Sequence, residues 1–303
     1  MGPHWIKGPR RELFRAVLSL LKVGRGQAAL RTAFNRLTDI PTELIYRILD
    51  GIAKELEREE AQLDSSWELE NAFTELDRRA DALDFDVAKR EFVFYRALEY
   101  GNRPLRLHKV MACDPEFYHH LLCLVFRGKS ETAPNTEPSQ ADRARVQMSY
   151  SLLSKFASVP GQSSDDIDRA SLARWIDHLR ELAFSSDRLE VADVYIGHIL
   201  AHAIQDGDGA WPHRVVRDEI ERLSSDSVER GIQTERFNMR GAHWKSLYGG
   251  GTEERGFATQ NREYAEKAAA WPRTAALLRV IAKNWDAQAQ YEDIQANQRK
   301  LKS

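Results

Sequence analysis

The stretch Ile40-Pro41-Thr42-Glu43-Leu44-Ile45-Tyr46-Arg47-Ile48-Leu49-Asp50-Gly51-Ile52 decides the fold class. Leu44, Ile45, Ile48, Leu49 and Ile52 recur at intervals of three and four, the period of a helix with one buried face; a strand would alternate every second residue. Pro41 ends the preceding segment and Thr42 stands where it can cap this one. Upstream, Leu13, Val17, Leu18, Leu20 and Leu21 follow the same period until Gly24-Arg25-Gly26 interrupts it. It resumes over 27–37 through Ala28, Leu30, Ala33, Phe34 and Leu37. Three helices joined by such short turns describe antiparallel hairpins stacked on one another.

Downstream the pattern repeats. Ser65 or Ser66 precedes a helix carrying Leu69, Ala72, Phe73 and Leu76, and Phe85-Asp86 begins another that stops at Gly101-Asn102-Arg103-Pro104. A short helix over 105–111 follows, and Asp114-Pro115 then opens a helix through Phe117, Leu121, Leu122, Cys123 and Phe126, with the acid at the cap and proline at the first turn. Residues 128–140, GKSETAPNTEPSQ, contain no large apolar side chain and read as an exposed loop. Helices are expected again over 141–158, 171–184, 190–203 and 213–223, whereas 227–251 is the least regular stretch. Thr252 stands to cap a helix through Tyr264 and Ala268, and the last helix, after Trp271-Pro272, fades into a polar tail from Asp293. No strand-like alternation and no sustained heptad emerge. The expected fold is all-α: about a dozen short helices in an irregular, solenoid-like array of antiparallel hairpins. Its expected parts are an N-terminal array (1–127), the loop (128–140) and a C-terminal region (141–303) that continues the first.

Composition narrows the function classes. Forty-four Lys and Arg against 46 Asp and Glu, with 42% hydrophobic residues, exclude wholesale disorder and a globally basic nucleic-acid binder. No window approaches the roughly 18 apolar residues of a membrane span, and the first residues lack a secretory apolar core, so a cytoplasmic chain is expected. Cys113 and Cys123 are too few for a disulfide framework and are expected as buried free thiols.

Three motif-bearing segments, Gly24-Arg25-x-x-Ala28-Ala29-Leu30, the run D-x-x-I-G-x-x-L-A-H-A-x-x-D-x-D-G-x-W-P over 193–212, and Trp271-Pro272-Arg273-Thr274-Ala275-Ala276-Leu277-Leu278 continuing to Ala282, carry a resemblance. Together with Arg240-Gly241 and Gly249-Gly250 to Glu254-Arg255 they resemble the C-terminal helical-repeat region of large, mostly uncharacterised bacterial multidomain proteins, over about residues 13–295. The resemblance implies a non-catalytic solenoid region that senses or binds a partner, with a suggested setting in bacterial conflict or antiviral defence. Such regions continue a longer solenoid, so the chain is expected to be a piece of one or a stand-alone relative.

Candidate site residues fall in two groups. His198 and His202, one helical turn apart, have chelating spacing, and Asp193 or Asp206 could complete a metal site. Against this, the zincin pattern requires Glu where Ile199 stands, and neighbouring histidines on a half-buried helix are more often hydrogen-bonded packing residues. Asp206-Gly207-Asp208-Gly209 looks like the start of a calcium loop but lacks its twelfth-position acid, so an Asx turn explains it without an ion. The second group lies in 230–255, where Arg236, Arg240, His243, Lys245 and Arg255 alternate with Trp244 and Tyr248, the composition of a phosphate-and-stacking surface. The competing reading pairs Arg236 and Arg240 with Glu229, Glu235 or Glu253. His119 or His120 could meet Cys123, giving two ligands at most. No nucleophile elbow, dinucleotide fingerprint or P-loop is present. The expectation is therefore a non-catalytic interaction module with a protein partner and no cofactor; nucleic-acid or nucleotide binding through 230–255 is the alternative, and a metal-dependent enzyme at His198 and His202 the third reading.

Overall fold

The computed structural model describes residues 9–57, 62–101, 103–132, 137–241 and 250–300. Among them are fifteen α-helices, one 3-10 segment and no strand, so the chain is all-α as its periodicity predicts. An isolated bridge between Gln162 and Ile167 pinches one turn. The chain forms two compact units, Met1–Met111 and Ala112–Ser303, and the loop at 128–140 lies inside the second.

In the first unit α1 (Pro9–Lys22), α2 (Gly26–Ala33) and α3 (Thr42–Leu56) pack on one another. The 27–37 segment divides: α2 ends at Ala33 and tightens into a 3-10 segment over Phe34–Asp39. Gly26 lies so close to Gly51 and Ile52 of α3 that any Cβ there would strike backbone. The apolar face of the opening stretch is the core, with Ile45, Ile48, Leu49 and Ile52 fully buried; each contributes roughly 1.5–3 kcal/mol of transfer free energy. Thr42 does not cap α3. It is the first helical residue, and its hydroxyl takes a hydrogen bond from Arg79 (3.3 Å), whose guanidinium also donates to the Leu37 carbonyl (2.7 Å). α4 (Ser66–Asp77) is capped by Ser65, which accepts from the Glu68 N–H. α5 (Asp84–Val93), α6 (Tyr95–Leu98) and α7 (Arg106–Cys113) follow, with buried Glu91 accepting from the Leu107 N–H (2.7 Å).

The second unit contains α8 (Pro115–Val125), α9 (Gln140–Lys155), α10 (Arg169–Ser185), α11 (Leu189–Leu200), α12 (Arg214–Leu223), α13 (Asp226–Asn238), α14 (Thr252–Lys267) and α15 (Pro272–Lys300). Asp114 caps α8 by accepting from Phe117 N–H (3.0 Å), as its position before proline predicts. Three expectations are corrected here. The irregular 227–251 stretch contains α13, capped by Ser225; its periodicity is hard to see because Val228, Gly231 and Ile232 are its only buried residues. Gly231 lies against Gly197 of α11, and a Cβ on either would fall on the Val194 or Val228 carbonyl oxygen, so the two helices cross at backbone contact. Thr252 does not cap α14: the cap position is Gly251, whose N–H donates to Asp293 (2.8 Å). Nor does α15 fade at Asp293, since it continues to Lys300 with Ala296 buried.

α14 and α15 form a close antiparallel hairpin with the heptad that the sequence pattern did not reveal. Ala275, Ala282, Ala289 and Ala296 stand seven apart on α15, all buried, with Leu278 and Trp285 between them and Ala258, Ala265 and Ala268 buried on the α14 side. The repeat is built on alanine, which is a weak hydropathy signal but allows helix axes to approach closely.

Candidate interaction surface

In the second unit the chain leaves α8 at Phe126, and Arg188, just before α11, fastens that exit. The Arg188 side chain is almost completely buried, and all its donor nitrogens are used. Nε donates to the Phe126 carbonyl (2.7 Å), Nη1 to the Ser186 carbonyl (2.7 Å), and Nη2 to both Glu131 oxygens (2.7 and 2.8 Å). The Arg188 guanidinium and the Gly128 N–H hold the Glu131 carboxyl below its ordinary range. The Asp187 carboxylate accepts from Ser130 N–H (2.7 Å), so the start of the 128–140 loop is stapled to the 186–188 turn.

Two hollows flank this staple and share Phe126, Arg127 and Tyr150. One, of about 510 Å³, is walled by Val191, Val194, Tyr195 and His198. The other, of about 740 Å³, is walled by Cys123, Val125 and Val146. Tyr150 is 53% exposed between them. The Phe126 and Tyr195 rings are 5.5 Å apart and Tyr195 is 5.1 Å from His198. Burial pushes the Tyr195 phenol up to about 12 and the His198 imidazole below its ordinary value, so both are neutral at pH 7.

Charge around the shared edge is incompletely matched. Lys129 and Arg230 converge on one carboxylate, Glu190, at 2.9 and 3.2 Å, and hold it below its ordinary range. Arg127 is exposed and makes no hydrogen bond or ion pair with another described residue. Only His198 and Arg230 of this surface fall in segments that the sequence singles out; Phe126, Arg127 and Tyr150 belong to no motif.

The candidates read from sequence lie elsewhere, apart from His198. His202 pairs with Glu235 (2.9 Å), Asp193 with Arg180 (2.8 Å) and Ser225 (2.7 Å), and Asp206 with Arg214 (2.8 Å). These four residues do not form a metal site, because each carboxylate and His202 is turned to a different internal partner. Among the described residues no group of three or more His, Cys, Asp or Glu side chains converges for a metal ion.

Around Asp206-Gly207-Asp208-Gly209 both carboxylates face guanidinium groups. Arg217, with no exposed side-chain surface, donates to Asp208 (2.8 Å) and to the Pro212 carbonyl (2.7 Å) and lies over Trp271 (4.8 Å). Arg214 holds the Asp206 carboxyl at about 2. Gly209, at φ 72°, closes the turn, and its carbonyl accepts from Lys267 (2.9 Å).

In 230–255, His243, Trp244, Lys245 and Tyr248 lie outside the described residues. The remaining arginines are engaged internally. Arg236 lies over the Trp211 ring (4.2 Å), Arg240 pairs with Glu253 (2.9 Å) and Glu254, and Arg255 pairs with Asp293 (2.7 Å). His119 is the histidine that meets Cys123 (Nε2 to Sγ, 3.4 Å), and it also bonds Ser186 (2.8 Å). Burial raises the Cys123 thiol, which leaves it protonated and a poor nucleophile. Both cysteines are free, but Cys113 is exposed and Cys123 only half-buried, contrary to the expectation of buried thiols. No protein-family model, curated protein or solved structure matches the chain. No helix among the described residues is long and apolar enough to cross a membrane.

Proposed function

We propose that the chain is a non-catalytic helical interaction module, and that its second unit seats an acidic, amphipathic segment of a partner protein across Phe126, Arg127 and Tyr150. The observation that carries this reading is the exposed Arg127, which acts on Glu131 through space but makes no hydrogen bond or ion pair with a described residue, at the junction of two aromatic-walled hollows. An apolar side chain of the partner fits the hollow beside Tyr195, and its carboxylate meets Arg127, supported by the two cations sharing Glu190. An almost completely buried arginine staple beneath the surface keeps it preformed, which lowers the ordering cost of binding.

Selection of displayed random peptides on the whole chain tests the proposal. Enriched peptides are expected to combine Asp or Glu with an aromatic or aliphatic residue. Arg127→Glu and Tyr150→Asp should each weaken them at least about tenfold, a loss near 1.4 kcal/mol. Peptides that bind both variants as tightly as the parent, or an acid-free set, would sink the reading. Salt-sensitive binding of short RNA or DNA in place of peptides would favour the nucleic-acid alternative.

A further inference from the structure

The outer side of α15, opposite its alanine seam, carries a line of exposed side chains that is mostly apolar. Val280, Ala287, Tyr291 and Ile294 are all exposed, with Val280 at 42% and Tyr291 and Ile294 at 55%. At about 100° per residue these positions stay within a narrow sector, roughly half a turn from Ala282 and Ala289. A helix that already buries one heptad face thus presents a second line of exposed side chains, apolar except where Lys283 and Asn284 fill the turn between Val280 and Ala287.

The line has a property that identifies its occupant. It is symmetrical in spacing about Ala287: β-branched Val280 and Ile294 stand seven residues to either side, and Lys283 and Tyr291 four to either side. If a second α15 runs antiparallel across it with Ala287 on the two-fold axis, each β-branched residue meets the other kind. The small alanine permits close approach at the crossing, and Tyr291 faces Lys283. Lys283 makes no ion pair or hydrogen bond with another described residue, so its ammonium is available to the tyrosine face. The flanking Asn284 and Gln290 are uncharged, so no like charges confront one another across the axis. A surface that is its own complement under a two-fold rotation is what an isologous dimer requires.

We infer that the chain self-associates as an antiparallel dimer through the outer face of α15, with Ala287 at the two-fold axis. The inference is independent of the partner surface at Arg127. It is tested on the whole chain with Cys113→Ser and Cys123→Ser as background. In that background Ala287→Cys should be joined to itself by a short bismaleimide. Val280→Cys and Ile294→Cys should each fail to self-link, since each lies about 20 Å from its own mate by helix rise, but should link when mixed. Sedimentation of the unmodified chain should show a dimer mass that Tyr291→Asp with Ile294→Asp reduces to the monomer. A monomer at every concentration, a dimer indifferent to that double substitution, or self-linking of Val280→Cys would each overturn the inference.

Discussion

The turn at 206–212 and the surface at Phe126, Arg127 and Tyr150 lie in the same unit, and their chemistry contradicts their appearance in the sequence. Asp206-Gly207-Asp208-Gly209 has the residue types of a cation site, yet its acids are consumed by Arg214 and Arg217 and its Gly209 carbonyl accepts from Lys267 and Gln205. The Arg127 surface has no motif but retains a guanidinium that makes no hydrogen bond or ion pair with a described residue, beside open aromatic hollows. A dense cluster of polar residues can be fully satisfied from within the protein; binding capacity is then found where satisfaction is incomplete.

The sharpest way to break this contrast is Arg217→Ala. Removing a buried guanidinium strands Asp208 and the Pro212 carbonyl, and a loss of about 3–5 kcal/mol is expected from denaturant unfolding. A loss below about 1 kcal/mol would mean that the turn is not the internally satisfied structure described here. Acid titration probes the same turn with a smaller effect. The Asp206 carboxyl is held at about 2 against an ordinary 3.8, so its contribution is present above the ordinary value and disappears as pH falls through that value towards 2. Roughly 2 kcal/mol of stability should be lost across that window. Asp206→Asn should remove the corresponding slope, and an unchanged slope in that variant would assign the acid sensitivity to other carboxylates. The smallest effect belongs to the other region. Arg127→Glu should alter thermal unfolding by no more than about 0.5 kcal/mol, because the side chain is exposed and acts on Glu131 only through space. A larger change would mean that Arg127 supports the fold and is not reserved for a partner.

Legibility followed the range of the interactions. The helix over Thr42–Leu56, the cap at Asp114 and the exposed character of the loop after Gly128 all depend on residues within about one helical turn of one another, and the sequence pattern finds them. The α13 helix and the alanine heptad of α15 were harder to read. One has too few buried side chains, and the other uses a residue whose hydropathy barely distinguishes buried from exposed. Within the 230–255 segment the competing structural reading was met for Arg240, which pairs with Glu253, but not for Arg236, which lies on Trp211 with no carboxylate. The candidate surface itself was illegible apart from His198 and Arg230, because Phe126, Tyr150 and Arg188 meet only through packing of α8, α9 and α11.

The sequence by itself determined that this chain is all-α, since the 3.6-residue period and the N-caps are properties of neighbouring residues. Only the tertiary structure decided which charges are spent and which remain free. Ion-pair partners such as Arg188 with Glu131, or Arg230 with Glu190, stand 57 and 40 residues apart, and no local pattern specifies which distant carboxylate a guanidinium will reach.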